Sequence, residues 1–266
     1  MSPDELMVTI GSGLFGLIGW IAWAVQLFSP ARTAAQRRGV WSLVAAAIAS
    51  LAIVVAVLFT WSASDVRNDS AYLAMYTLLG LAWLRIGELF FVLAGVSSRD
   101  DVVERGNAAA VPAIGGALIA IACCYAGGNV GEGPGWWVVV FSAALSSAAL
   151  VVVWIVYDQA TGIFETVTID RDRAAGIRLG GFLVACGLVL GRAVAGNWVD
   201  VGQTIADFAR VAWAVPVLFG AAIAIERTAQ PTPQRPDVPV TAFGVAPAAV
   251  FIIAAAAYVV WLGPPA

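Results

Sequence analysis

Eight stretches of 20 to 26 almost purely apolar residues recur along this 266-residue chain, at Val8–Phe28, Val40–Thr60, Ala71–Val96, Ala108–Gly127, Trp136–Tyr157, Ala174–Ala195, Ile205–Ile225 and Val240–Trp261. A bilayer core is crossed by about 20 helical residues, and in lipid the backbone satisfies its own hydrogen bonds only as helices or as a closed barrel. Runs this long and this apolar select helices. The expected fold is therefore all-α: a polytopic membrane helical bundle of eight transmembrane helices, arranged as four tandem hairpins in two four-helix halves, 1–130 and 135–266.

Composition narrows the chemistry. The chain is 61% hydrophobic and 12% charged, against about 45–50% and about 25% in soluble domains. All 14 basic residues are arginine, with no lysine and no histidine. That removes a lysine Schiff base, bis-histidine haem ligation and imidazole proton shuttling. Cys123, Cys124 and Cys186 all fall inside spans and suggest packing residues rather than a disulfide framework or a C-x-x-C site. No cofactor and no metal site is expected. Asp4 and Glu5 precede the first span without a basic leader, so that span is expected to stay as a helix rather than be cleaved.

Charge sets orientation. Arg32, Arg37 and Arg38 lie in the first connection, Arg99 and Arg105 in the third, Arg171 and Arg173 in the fifth, and Arg227 and Arg235 in the seventh. The other end carries Asp4, Glu5, Asp65, Asp69, Glu132 and Asp200 against a single Arg67. By the positive-inside rule the odd connections are cytoplasmic and both termini extracytoplasmic. Trp61, Trp136, Trp137, Trp198 and Trp261 then gather at the outer interface and Trp41 at the inner one.

The even spans begin at residues 40, 108, 174 and 240, spacings of 68, 66 and 66, which is the mark of a repeated hairpin. Ala109–Ala120 set on Ala174–Ala185 keeps six of twelve positions at an offset of 65. Each repeat has an even number of spans, so the copies share one orientation, unlike inverted-repeat transporters.

The stretch Arg173-Ala-Ala-Gly-Ile-Arg-Leu-Gly-Gly-Phe-Leu-Val-Ala-Cys-Gly, followed by Arg192-Ala-Val-Ala-Gly-Asn-Trp198, resembles the second-helix signature of the bacterial inner-membrane family known as domain of unknown function 350. The resemblance is strongest over Trp136–Trp261. It is weaker over Met1–Gly128, where Asn107-Ala-Ala-Ala with Gly115-Gly116 is the best echo and the Arg38-Gly39 hairpin departs most. It implies a duplicated four-span unit and a membrane location, and no activity.

Helices in lipid associate through close backbone approach and interhelical hydrogen bonds. Gly176-x-x-x-Gly180 and Gly187-x-x-x-Gly191 on the sixth span, Gly13, Gly16 and Gly19 on the first, and Ser142 with Ser146 on the fifth mark the expected seams, which read as packing before they read as a ligand groove. Pro216 and Pro247 are expected to kink the seventh and eighth spans.

Arg85 and Glu88 sit deep in the third span at i and i+3, a spacing that allows a pair on one face. Either ion alone at the bilayer centre costs about 2.5–3.5 kcal/mol on insertion scales, so both should face protein or water. Asp207 and Arg210 repeat the spacing on the seventh span with Gln203 one turn earlier, and Arg192 nears the outer end of the sixth. These five, Arg85, Glu88, Arg192, Asp207 and Arg210, form a candidate polar path or gate. The alternative is that the pairs neutralise each other and fix register while Arg192 and Arg210 snorkel outward. Arg178, one turn inside the basic end, is expected to reach headgroups and is left out of the path.

The leading function is permeation or transport of an ion or small polar solute. The rival is a non-transporting scaffold or envelope-stress protein acting through the connections Gln159–Asp172 and Thr228–Val238. An enzyme ranks third, since no Ser–His, paired-Asp or zinc-ligand set is present. The lipid bilayer is the expected partner, a homo-oligomer stays open, and nucleic acid is not expected. A water-accessible polar cavity would favour transport; a solid core with small-residue seams would favour a scaffold.

Overall fold

The computed structural model describes residues 1–28, 33–93, 95–230 and 239–265; Arg32, Arg235 and most of the connection 228–238 lie outside them. Eleven α-helices appear among the described residues: α1 Pro3–Phe28, α2 Ala34–Thr60, α3 Ser64–Asn68, α4 Ser70–Leu93, α5 Ala110–Gly128, α6 Trp136–Thr161, α7 Ile163–Thr168, α8 Arg173–Ala193, α9 Val201–Ala212, α10 Ala214–Ala229 and α11 Ala246–Trp261. Among the described residues helix accounts for 84% and strands are absent, and eight segments are long and apolar enough to cross a membrane, α9 with α10 counting as one and α11 with the π-helical turn before it as another. The chain is an all-α multi-pass membrane bundle.

The even spans stand in a row, α2–α5–α8–α11, with α5 and α8 the most buried pair at its centre. The reason is written in their composition: they meet through glycine, where two backbones can touch. A Cβ on Gly176 would collide with the Ala109 carbonyl, one on Gly180 with that of Pro112, one on Gly191 with that of Cys123, and one on Gly127 with that of Gly191. The predicted motifs of the sixth span are thus a packing seam that no side chain can enter. α1 packs on α4 through Gly13, Gly16 and Gly19, with its buried stripe continued by Trp23 and Leu27 at helical spacing.

The segments self-similar at offset 65 also bond alike. Asn107 Oδ1 accepts the Ala109 amide and Asp172 Oδ1 the Ala174 amide, both at 2.9 Å; at Asp172 this bond is the N-cap of α8, while at Asn107 it closes the turn just before α5. Ahead of them Asn107 N donates to Asp101 O and Asp172 N to Thr166 O, again 65 residues apart. The third connection is accordingly not an open loop: Ser98–Glu104 winds a π-helical turn with Val102 and Val103 buried. The fifth connection, expected as an accessible loop, folds back as well, because α6 continues to Thr161 and α7 buries Ile163 and Val167. Apolar residues inside these connections had a core to reach, and they reached it.

The α-helix is interrupted near both prolines. Pro216 has no N–H for the carbonyl of Ala212, and α9 ends at Ala212. Pro247 stands one residue into α11, just after a π-helical turn at Thr241–Val245. At the acidic end the connections are laced together: Gly131 N donates to Trp61 O, Gly196 N to Val130 O, and Trp198 N to Glu132 O. Trp41, Trp61, Trp137 and Trp261 are exposed, as interface anchors should be. Cys124 and Cys186 are buried and Cys123 half-buried, all as free thiols.

Candidate functional site

Two buried ionic clusters sit near the arginine-bearing end. In the first, Arg85 and Glu88 pair on α4, as their spacing allowed, with exposures of 9% and 4%. Glu88 also accepts from Trp23 Nε1 of α1 at 3.0 Å and from the Ser98 hydroxyl of the π-helical turn, while Arg85 Nε donates to Gly19 O at 3.1 Å. Gly19 is required here, since a Cβ would lie 2.8 Å from Arg85 Cγ. The carboxylate is therefore held by three donors from three elements, and the arginine has both a charge partner and a backbone acceptor, which is the condition for keeping ions out of water.

The second cluster is the more deeply buried, and it corrects the reading of Arg178 as a headgroup-reaching residue. Arg178 of α8 is 1% exposed and Glu226 of α10 is fully buried. The guanidinium grips the carboxylate in a fork, Nε to Oε2 at 2.8 Å and Nη2 to Oε1 at 2.6 Å, the bidentate geometry arginine favours. Nη1 donates to Phe243 O at 2.6 Å, Tyr157 Oη donates to Glu226 Oε2 at 3.3 Å, and Asp172 lies 3.8 Å from Nη2. The proline has a part in this: Pro247 cannot donate to the carbonyl of Phe243, four residues back, and that carbonyl takes the arginine. α8 lies between α5, α6 and α11, so its first turn looks into protein rather than lipid. The sequence signal was there in Glu226, the last acid before the seventh connection, which falls one residue beyond the predicted span Ile205–Ile225.

In both clusters a glutamate near the basic end of one span takes a donor from an aromatic on the span two earlier: Trp23 to Glu88, Tyr157 to Glu226. Each sets one arginine directly against one glutamate, and the second adds the carboxylate of Asp172 at 3.8 Å.

The other proposed path residues lie elsewhere. Asp207 and Arg210 do pair, at 3.0 Å, and Gln203 Nε2 donates to Asp207 at 2.9 Å, but their side chains are 44% and 74% exposed and α9 buries none of its residues. Spacing put them on one face; that face looks outward. Arg192 is half-buried and donates from Nη2 to Gly263 O at 3.1 Å, and its buried Nε has no partner among the described residues. The five residues thus do not line one route.

Two clefts flank the central pair. One, about 360 Å³, opens at the acidic end among Glu5, Asp65, Tyr72, Asn129, Glu132 and Asp207. The other, about 510 Å³, opens at the basic end between α2, the third connection, α5 and α8. Between them runs the glycine seam. Among the described residues no cluster of three or more acidic, cysteine or histidine side chains is placed to hold a metal ion.

No curated protein and no solved structure matches the chain. The matched family segment starts before α4 and ends with α8, so it takes in Arg85, Glu88 and Ser98 of the first cluster but not Trp23 or Gly19, together with Arg178 and the whole central seam, and overlaps the stretch of strongest resemblance only at 136–193. Residues 65–193, just under half of the chain, match the model of the family described as Domain of Unknown Function (DUF350), the family the sequence resembles.

Proposed function

We propose that this protein lets an ion or small polar solute cross a bacterial inner membrane, with both termini and the acidic cleft facing outward. The observation that carries the reading is the pair of clefts at opposite ends of the same two helices, α5 and α8, closed to one another by backbone packing. Four carboxylates at the acidic mouth, on Glu5, Asp65, Glu132 and Asp207, favour cations there. The buried ion clusters act as hinges of fixed register rather than as binding steps, because in each the arginine is already matched by a glutamate and neither pair lines a cleft. Passage then requires α5 and α8 to part at the seam. Flux from proteoliposomes across a panel of monovalent cations and small neutral solutes tests this, with the variant Asp65→Asn combined with Asp207→Asn expected to lower cation flux. Leakage of every panel member at the rate of protein-free vesicles would reject transport.

A second reading, a non-transporting scaffold, is favoured by the same seam: helices in backbone contact over most of their length make a rigid core. Under it the purified protein is silent in the flux assay, and crosslinking in cells captures a partner at the basic end.

A further inference from the structure

The cleft at the basic end has a feature that transport does not use. Its lining is largely apolar, with Val102, Val111 and Ile177 among its walls, and two arginines stand at it: Arg38 from the first turns of α2 and Arg173 from the start of α8. Both are exposed, and neither has an ion pair among the described residues, whereas Arg85, Arg99, Arg105, Arg178 and Arg210 all do. The nearby acid Asp172 is already engaged, capping α8 and facing Arg178. The amide of Asn107, which also lines the cleft, is spent on Ala109 N and Val167 O. What remains free is two guanidinium forks over an apolar wall, at the level where the spans end. Guanidinium pairs recognise phosphate by charge-assisted, often bidentate bonds, and an apolar wall below them suits an acyl chain.

We propose that this cleft is a phosphate-binding site whose ligand is the headgroup phosphate of an anionic phospholipid, bridged by Arg38 and Arg173, with the upper acyl chain against Val102, Val111 and Ile177. A phospholipid is favoured over free phosphate because the walls are apolar and the site lies at the ends of the membrane spans. Arg37, adjacent in sequence, exposed and also without an ion pair, does not line the cleft and is the control.

The experiment uses the full chain in detergent, titrated with short-chain phosphatidylglycerol, phosphatidylcholine or inorganic phosphate, and reads bound lipid by native mass spectrometry and protection by thermal shift. Phosphatidylglycerol should bind and raise the melting temperature, phosphatidylcholine much less, and inorganic phosphate at equal concentration not at all. Arg38→Gln and Arg173→Gln should each weaken phosphatidylglycerol binding about fivefold, from about 1 kcal/mol per arginine at a lipid surface, while Arg37→Gln leaves it unchanged. Unaltered melting temperatures of the lipid-free variants show that they fold. Equal binding of both lipids, an equal loss with Arg37→Gln, or full protection by inorganic phosphate alone overturns the proposal. None of these outcomes depends on whether the protein transports anything.

Discussion

Glu226→Gln tests the central claim about the second cluster, that Arg178 is stable inside the bundle only because Glu226 answers its charge. The substitution keeps size and a hydrogen-bonding oxygen but leaves a guanidinium that is 1% exposed without its forked partner. Breaking a buried pair from one side costs about 3–5 kcal/mol. The lower end applies, about 3 kcal/mol, because Phe243 O at 2.6 Å and Asp172 at 3.8 Å still face the arginine. At roughly 2–4 °C per kcal/mol for chains approaching this size, the melting temperature should fall by about 6–12 °C. The three free thiols, buried or half-buried in the fold, make a thiol-reactive dye a direct reporter of unfolding. Arg178→Gln with Glu226→Gln removes both charges together and should recover more than half of the loss, the positive coupling expected of groups in contact. Asp207→Asn, in an exposed pair of similar length, should leave the melting temperature where it was, because exposed ion pairs are solvated and screened. A fall of less than about 2 °C for Glu226→Gln, or a double variant as damaged as the sum of its parts, would refute the reasoning.

The same logic applies on α4: Glu88→Gln strands Arg85, Trp23 and Ser98 together and should lower yield and melting temperature, with Arg85→Gln restoring much of it in the double variant. Gly127→Ala would drive a methyl into the Gly191 carbonyl and should cost at least the upper end of the ~1–3 kcal/mol typical of overpacking, whereas Gly220→Ala, with open space around it, should be silent in the same thermal assay. For orientation, a single cysteine at position 34, in a background with Cys123, Cys124 and Cys186 replaced, should resist an impermeant thiol reagent in intact cells while one at position 64 is labelled; the reverse pattern would invert the topology.

Local patterns carried far in this chain. Span number follows from apolar length alone, because lipid forbids any other backbone solution for runs of this kind. The glycine seam of α8 was legible as two four-residue spacings, and the helix interruptions near Pro216 and Pro247 as missing donors. Arg85 with Glu88 was legible because both members lie one helical turn apart on the same segment, where geometry is set by the helix itself.

Tertiary structure decided what spacing could not. Asp207 with Arg210 has the same i, i+3 separation as Arg85 with Glu88, yet one pair is exposed and the other buried. A helix fixes which residues share a face, not which way that face looks. That was set by α4 packing on α1 and α5, and by α9 lying at the periphery. Arg178 and Glu226 stand 48 residues apart on different helices. Read singly, each is an ion near a membrane boundary, where water is within reach. Only the insertion of α8 between α5 and α11 removes that water, and with it the choice of leaving either charge alone.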